Sequence, residues 1–306
     1  MDLRQIQYFV ALFEEGSVTA ASRRLNVVQP AVSMQLAKLE AELGHQLFRR
    51  VPKGMIPTTA GREAYRHFSQ ILADLRSARD HLAALGDRVA GHVSVGVIAS
   101  VSNNALSECL QSFCPAYPDV RLRITGGYTV DFLEMVRNGT LDVAIINLSR
   151  RRTTLPATRI AREELVLAAA RDNPAASGPA IGLEAISRLR LVIPSPRHGL
   201  RGVIDDAAAD AGVTLEPALE FDELKTIEEF VASSEYVTII PPIAVHRALR
   251  RGDLKARPIA PRIVRDVVAI HDPRRGLSQA AELLVAELRT AMMKALSQHH
   301  ADTPPT

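Results

Sequence analysis

Gln29, Ser33 and Lys38 share the open side of a stretch, residues 29 to 43, in which Val32, Leu36, Leu39 and Leu43 recur at spacings of four, three and four. That period buries one stripe of a helix and leaves the opposite face to solvent. Side chains of these types suit the edges of base pairs. The Gln29 amide can pair with adenine at two points, Ser33 donates or accepts, Met34 offers an apolar contact to a thymine methyl, and Lys38 and Arg23 suit phosphate. Pro30 sits in the first turn, where a missing N–H costs nothing. Before it, Val18 to Leu25 reads as a short helix whose Ala20, Ala21 and Ser22 permit a close crossing, and Asn26 takes the turn that ends it. After it, LFRRVPKGMIP sets Arg49, Arg50 and Lys53 about a Pro52/Gly54 turn between two short strands, a cationic wing for phosphates or a narrow minor groove. Two helices, a tight turn and a basic hairpin make a head that reads DNA.

A second group of candidates lies where strands end and helices begin. There, free N–H groups of the first helical turn attract anions. Ser100 closes the run HVSVGVIAS, after its strand, and precedes a helix near Asn103, and Thr129 follows Gly126, Gly127 and Tyr128 at the start of another. Ser195 and His198 precede a helix near Leu200, with Arg201 adding positive charge. Together they predict a ligand cleft, and the competing reading is that the hydroxyls only cap helices.

The elements that must position these residues are legible in outline. From Thr58 onward Ala64, Phe68, Ile71, Leu75, Ala78, Leu82 and Leu85 alternate at four and three, a stripe too narrow to be hidden by its own helix and suited to a coiled-coil seam. Gly86 and Gly91 end that helix. Residues 92 to 306 alternate strand-like and helix-like runs, an α/β order. Crossings near Arg159 to Glu164 and Pro261 to Asp266 divide them into two subdomains joined by a hinge. The expected boundaries are a DNA-binding domain over 1–60, a dimerisation helix over 61–90 and an effector domain over 91–306. Within the last, subdomain I covers about 91–161 and 266–298, and subdomain II about 162–265. The tail SQHHADTPPT is expected to be disordered.

Composition narrows the alternatives. A chain of 306 residues is long enough for two or three domains. Residues 1 to 90 hold 12 Lys/Arg against 9 Asp/Glu and the rest 25 against 25, so the whole formal excess of +3 lies in the head and linker. No apolar run approaches a membrane span, and the first residues lack the order of a secretory signal, so a cytoplasmic protein without a membrane partner is expected. Cys109 and Cys114 alone build neither a disulfide framework nor a four-cysteine metal site, and both are expected as thiols on a packed helix. No metal or cofactor is expected, since zinc-spaced His/Glu pairs, a phosphate-loop lysine and a dinucleotide glycine fingerprint are lacking.

The ordered segments LRQIQYFVALFEEGSVTAAS, QPAVSMQLAKLE, LGHQLFRR and TTAG resemble the winged helix-turn-helix of LysR-type bacterial transcriptional regulators, and the likeness extends over essentially the whole chain. It implies an all-α-rich winged head, a long linker helix that pairs with a second subunit, and an α/β effector domain of two Rossmann-like subdomains similar to periplasmic binding proteins. It further implies a homo-oligomer, a dimer of dimers, on double-stranded promoter DNA including its own upstream region. RNA polymerase is a partner if the protein activates. Ser100 and Thr129 match positions where family members bind an effector, commonly a small carboxylate. Met34 and Pro57 depart from the family's usual residues, as do Ser234 and Tyr236, which replace glycines.

Two other functions compete. A hydrolase would need a set such as Ser195, His198 and Asp205, but no G-x-S-x-G elbow surrounds any serine. A small-molecule-binding protein without DNA function would have no use for the head.

Overall fold

The computed structural model describes residues 1–52, 54–83, 88–149 and 153–302, with only the backbone of 80, 81, 83 and 298–302. Lys53, Leu85 and Gly86 lie outside the described residues. The chain divides into two compact units, Met1–Leu82 and Ala83–Thr306, with the short segment Arg137–Thr140 grouping with the first.

In the first unit the caps define the helices. Helix α1 (Leu3–Glu15) starts at Asp2, whose carboxylate accepts from the Gln5 N–H at 2.8 Å while Gln5 Oε1 accepts from the Asp2 N–H at 2.8 Å. Helix α2 (Val18–Leu25) is capped by Ser17 and stopped by Asn26 in the left-handed conformation, φ 54°. Helix α3 (Gln29–Leu43) carries Pro30 in its first turn and ends on Gly44. Strands β1 (Phe48–Val51) and β2 (Gly54–Pro57) pair antiparallel, with Arg49 opposite Ile56 and Arg50 opposite Met55. Helix α4 (Thr59–Ala83) begins on Thr58, whose Oγ1 accepts from the Gly61 N–H at 3.0 Å. A Cβ on Gly61 would lie 2.1 Å from the Leu47 carbonyl, so only glycine lets this helix start against the chain entering the wing.

Ile6, Phe9, Leu12, Val32, Leu36 and Leu39 close around Phe48 and Phe68, with the Phe9 ring edge-on to Phe68 at 5.5 Å. Each such side chain removed from water contributes roughly 1.5–3 kcal/mol. The stripe on α3 stops at Leu39, since Leu43 is exposed beside the terminating glycine. The α4 seam also requires correction. Phe68 is buried in this core and Ala64 packs against it, so the first turns of the helix spend their apolar face on their own unit. Ile71 and Leu82 are 40% and 69% exposed, Ala78 is exposed and Leu75 is half-buried.

In the second unit, strand β3 (Gly91–Val97) leads into a helical run of α5 (Ala99–Val101), a π turn (Ser102–Leu106) and α6 (Ser107–Ala116). Strand β4 (Val120–Gly126), helix α7 (Thr129–Arg137), strand β5 (Val143–Leu148) and strand β6 (Ala157–Glu164) complete the first pass. The chain then runs through β7 (Val166–Ala170), β8 (Ile181–Gly182), α8 (Leu183–Ile186), β9 (Val192–Ile193), α9 (Gly199–Asp210) and β10 (Leu219–Glu220). Helix α10 (Leu224–Ala232), strand β11 (Val237–Ile240), helix α11 (Pro242–Arg251) and strand β12 (Leu254–Ala260) follow. Strand β13 (Val264–His271) and helix α12 (Gln279–Asp302) return to the first sheet.

Subdomain I is the sheet β4-β3-β5-β13-β6, in which β3, β4 and β5 run parallel and β13 lies antiparallel between β5 and β6. Subdomain II holds the sheet β11-β7-β12-β8 and the short parallel pair β9 and β10. The continuous apolar run of β5 fits a central strand covered on both faces. Each subdomain has its own core, one around Val95, Ile145, Val268 and Leu288, the other around Leu167, Ile204, Ile227 and Ile239.

Several elements escape the sequence reading, among them β6, where only a crossing is expected, the short β8, and α11 and β12. Pro242 at the first position of α11 is a legible start signal. The tail is also corrected. Helix α12 continues through Asp302, because nothing before Pro304 interrupts it, while 303–306 lie outside the described residues. Cys109 is buried as expected, but Cys114 on the same helix is exposed.

Candidate DNA-reading face and ligand cleft

On α3 the expected readers stand clear of the core. Gln29, Pro30, Met34 and Lys38 are exposed and Ser33 is half-buried, while Val32, Leu36 and Leu39 turn inward. Arg23 on α2 and Arg49 and Arg50 on β1 are exposed as well. Val28 was missed as a candidate. It is 70% exposed just before α3 and joins Met34, 53% exposed, in an apolar element of this face. An aliphatic residue two positions before Pro30, just ahead of the helix, was the available signal.

In the second unit, α7 begins at Thr129 and α9 at Gly199, and both residues line one cavity of about 220 Å³ between the subdomains. Asn147, His198 and Arg197 line it too. The close approach of α9 depends on Gly199, because a Cβ there would lie 2.2 Å from Thr129 Oγ1 and 3.3 Å from Asn147 Cβ. Arg197 reaches across to subdomain I. Its Nη2 donates to Asp131 at 3.0 Å and its guanidinium lies 5.0 Å over the Tyr128 ring.

His198 is buried, and its Nδ1 accepts from the Leu200 N–H at 3.3 Å, which caps α9. Burial pushes its pKa down to about 4, with Arg265 pulling the same way against Asp222. At neutral pH it is therefore an uncharged imidazole with its proton on Nε2, a donor. Thr129 Oγ1 and Asn147 Nδ2 are buried and have no hydrogen-bond partner.

Ser100 lies in a different place. It is 2% exposed and its Oγ accepts from Arg265 Nη1 at 2.9 Å. The same nitrogen donates to Asn147 Oδ1 at 3.0 Å, and Arg265 Nε donates to Glu163 Oε1 at 2.6 Å. Arg265 is fully buried on β13. This network separates Ser100 from the Thr129 cavity, and Ser100 instead lines a second cavity with Asn103 and Asn104. Arg265, Asn147, Arg197 and Gly199 were not anticipated. A lone arginine in the apolar strand VRDVVAIH was the available sign of the first.

Two expected ligand contacts are corrected. Arg201 does not line the Thr129 cavity: its Nε donates to Asp205 at 2.8 Å and its Nη1 to the Pro194 carbonyl and Glu220 at 3.1 and 2.6 Å. Ser195 does not line it either, and its N–H donates to Asp222 Oδ1 at 3.2 Å. Nor do Ser195, His198 and Asp205 form a hydrolytic relay, because His198 Nδ1 serves its own helix and Asp205 pairs with Arg201. Among the described residues no group of His, Cys, Asp or Glu is arranged to hold a metal ion, and no helix is long and apolar enough to cross a membrane.

Residues 3–62 match the model of a bacterial regulatory helix-turn-helix protein of the lysR family, and residues 86–293 match the LysR substrate binding domain. The nitrogen assimilation regulatory protein nac of Escherichia coli (strain K12) is 28% identical over 245 residues, 80% of this chain and 79% of that protein. The transcriptional regulator CfxR of Cupriavidus necator is 26% identical over 92% of this chain and 89% of its own length. A full-length OxyR variant from Pseudomonas aeruginosa superposes with a TM-score of 0.77 at 25% identity, over 94% of this chain and 95% of that one. CbnR complexed with its target DNA has the same fold, with a TM-score of 0.65 at 24% identity over 95% of this chain and all of that one.

Proposed function

The chain belongs to the LysR family of bacterial transcriptional regulators, and from that premise we propose a regulator switched by a small anion, a carboxylate foremost, held in the Thr129–His198 cavity. One observation carries the choice of ligand: buried Thr129 Oγ1 and Asn147 Nδ2 lie unpartnered where two helices begin. Thr129 O–H, Asn147 Nδ2–H and the neutral His198 ring supply donors, two helix N-termini add partial positive charge, and the lining also holds Arg197 with Asp205 and Asp206, of which Asp205 is paired with Arg201. A buried donor left unmade costs about 1–3 kcal/mol, so a ligand rich in acceptor oxygens is the complement. Cys109 and Cys114 both lie on α6, outside this cavity, so the reading requires no thiol chemistry.

The head reads double-stranded DNA with Gln29, Pro30, Ser33 and Met34 of α3 in the major groove. Arg23 and Lys38 rest on phosphate, and Arg49 and Arg50 carry the wing's charge. Ile71, Leu75, Ala78 and Leu82 are left to pair with a second subunit, which sets two heads on one site in the bacterial cytoplasm. A dimer of dimers follows if two such pairs share the promoter, and RNA polymerase is met if the protein activates. For the ligand to switch this assembly it must bind the open and closed clefts unequally.

Thermal shift of the full chain against a panel of small acids tests the reading, with Thr129→Val beside it. Saturating ligand at about a hundred times its dissociation constant adds roughly 2.7 kcal/mol. An acid that stabilises the native chain and not the variant supports the assignment, whereas equal stabilisation of both removes Thr129 from the site.

A further inference from the structure

The second cavity, about 250 Å³, lies between the π turn of subdomain I and helices α10 and α11 of subdomain II. Ser100, Asn103, Asn104, Lys225, Glu228 and Arg247 are among its lining residues, with His246 beside them. We propose that it is a second small-molecule site, separate from the Thr129 cavity, and that it takes a small α-amino acid as the zwitterion.

The charge inventory selects that class. Glu228 is 5% exposed, an uncommon degree of burial for a carboxylate. Lys225 and Arg251 both approach its Oε1, at 2.8 and 3.8 Å. Lys225 is half-exposed, so its hold on that oxygen is weak and a bound ammonium can take its place. A further acceptor accompanies Glu228. Asn104 Nδ2 donates to the Ser100 carbonyl at 2.8 Å, which leaves its Oδ1 available. His246 Nδ1 lies 2.9 Å from the Ile243 carbonyl, an atom that only accepts, so Nδ1 is the donor of that contact.

Cations are also present, in Lys225 and the exposed Arg247, together with the Asn103 amide. A dianion would meet the Glu228 carboxylate, and a simple amine would meet Lys225 and Arg247. A molecule carrying an ammonium and a carboxylate on one carbon satisfies both. The volume lies below the range of drug-sized pockets and suits a small metabolite. The π turn fits a binding role as well, since such bulges inside helices recur at functional sites. Ser100 ties the cavity to the hinge, because its Oγ accepts from Arg265, which also holds Glu163. An amino acid here would therefore bear on the same closure as the anion in the Thr129 cavity.

The test is isothermal calorimetry of the full chain with glycine, alanine, serine, aspartate, glutamate and glutamine, and with succinate and ethylamine as controls that each carry one charge type. Binding of at least one amino acid in preference to both controls is expected. Its affinity falls about tenfold or more in Glu228→Gln, as for a lost hydrogen bond to a charged group, and is unchanged in Thr129→Val. Should Glu228→Gln melt early, Arg247→Glu, altered on the exposed side, reads the same site through the carboxylate. No amino acid binding at millimolar concentration overturns the proposal. So does binding abolished by Thr129→Val and indifferent to Glu228→Gln and Arg247→Glu, which would return the ligand to the first cavity. Succinate binding that is lost in Thr129→Val bears on the proposed anion site alone.

Discussion

Arg265 Nη1 donates to Ser100 Oγ at 2.9 Å across 165 positions of sequence, and neither residue is open to solvent. The serine expected to meet a ligand is thus already held by a cation of the protein. The Arg265 guanidinium is balanced by Glu163, with which it forms a fully buried ion pair between the two crossing strands β6 and β13.

Breaking that pair from one side is expected to be costly. Arg265→Met leaves Glu163 buried without its partner, which typically costs about 3–5 kcal/mol. Adding Glu163→Leu to the same chain is expected to recover most of the loss, because two apolar groups replace two desolvated charges. Urea denaturation of the single and double variants measures both, and a double variant as unstable as the single would show that the pair contributes more than charge balance.

Gly199 brings α9 of subdomain II against Thr129 and Asn147 of subdomain I. With Cβ only 2.2 Å from Thr129 Oγ1, Gly199→Ala is expected to wedge α9 away and weaken anion binding about tenfold or more. Gly202→Ala meets Ser149 at 3.3 Å and should act more mildly. Calorimetry on both variants decides the order, and DNA binding without ligand should persist, since both residues belong to the second unit and not to the head.

His198 makes the second unit sensitive to acid in a defined window. Its pKa is near 4 in the folded chain against 6.5 for the free group, so between those values the unfolded chain binds more protons. Stability from this group is complete above about pH 6.5 and declines as pH falls towards 4, by at most about 3 kcal/mol. His198→Asn keeps an acceptor for the Leu200 N–H and has no charge to gain. Its melting temperature should therefore fall less than that of the native chain between pH 6.5 and 4.5, and parallel curves would remove His198 as the cause.

Ser33→Ala and Arg50→Ala are both expected to weaken DNA binding without unfolding the head, since neither side chain contributes to its core. They should differ in kind. Loss of a phosphate contact lowers the slope of log K against log salt by about 1, whereas loss of a base contact lowers affinity for the specific site by roughly 1–3 kcal/mol and leaves that slope alone. Titrations of the upstream region at several salt concentrations separate them, and normal binding by both variants would displace the interface from these residues.

The two cysteines should react unequally. Burial pushes the Cys109 thiol up to about 12, while Cys114 is exposed on the same helix. Alkylation of the native chain is expected to add one group, at Cys114, and mass spectrometry reads the count and the place.

Elements whose signals are local could be read from residue order alone. Periodic apolar residues marked α3 and the linker helix, Pro30 and Asn26 marked a start and a stop, and the strand-helix alternation after residue 91 marked an α/β domain. The exposure of Gln29, Met34 and Lys38 was legible because all three stand opposite the apolar stripe of one helix. Only the tertiary structure decided the cleft. Thr129, Asn147 and Gly199 are far apart in sequence, and their meeting depends on how α9 docks on β5. Arg201 was misjudged because its charge was visible and its three acceptors were not. Phe68 belonged equally well, by spacing, to a seam between subunits or to the head's own core, and only the position of Phe9 settled which apolar surface reached it first. Arg265 stood out locally as an arginine in an apolar strand, but its partners did not, because a charge can be buried there only where distant residues are already placed to balance it.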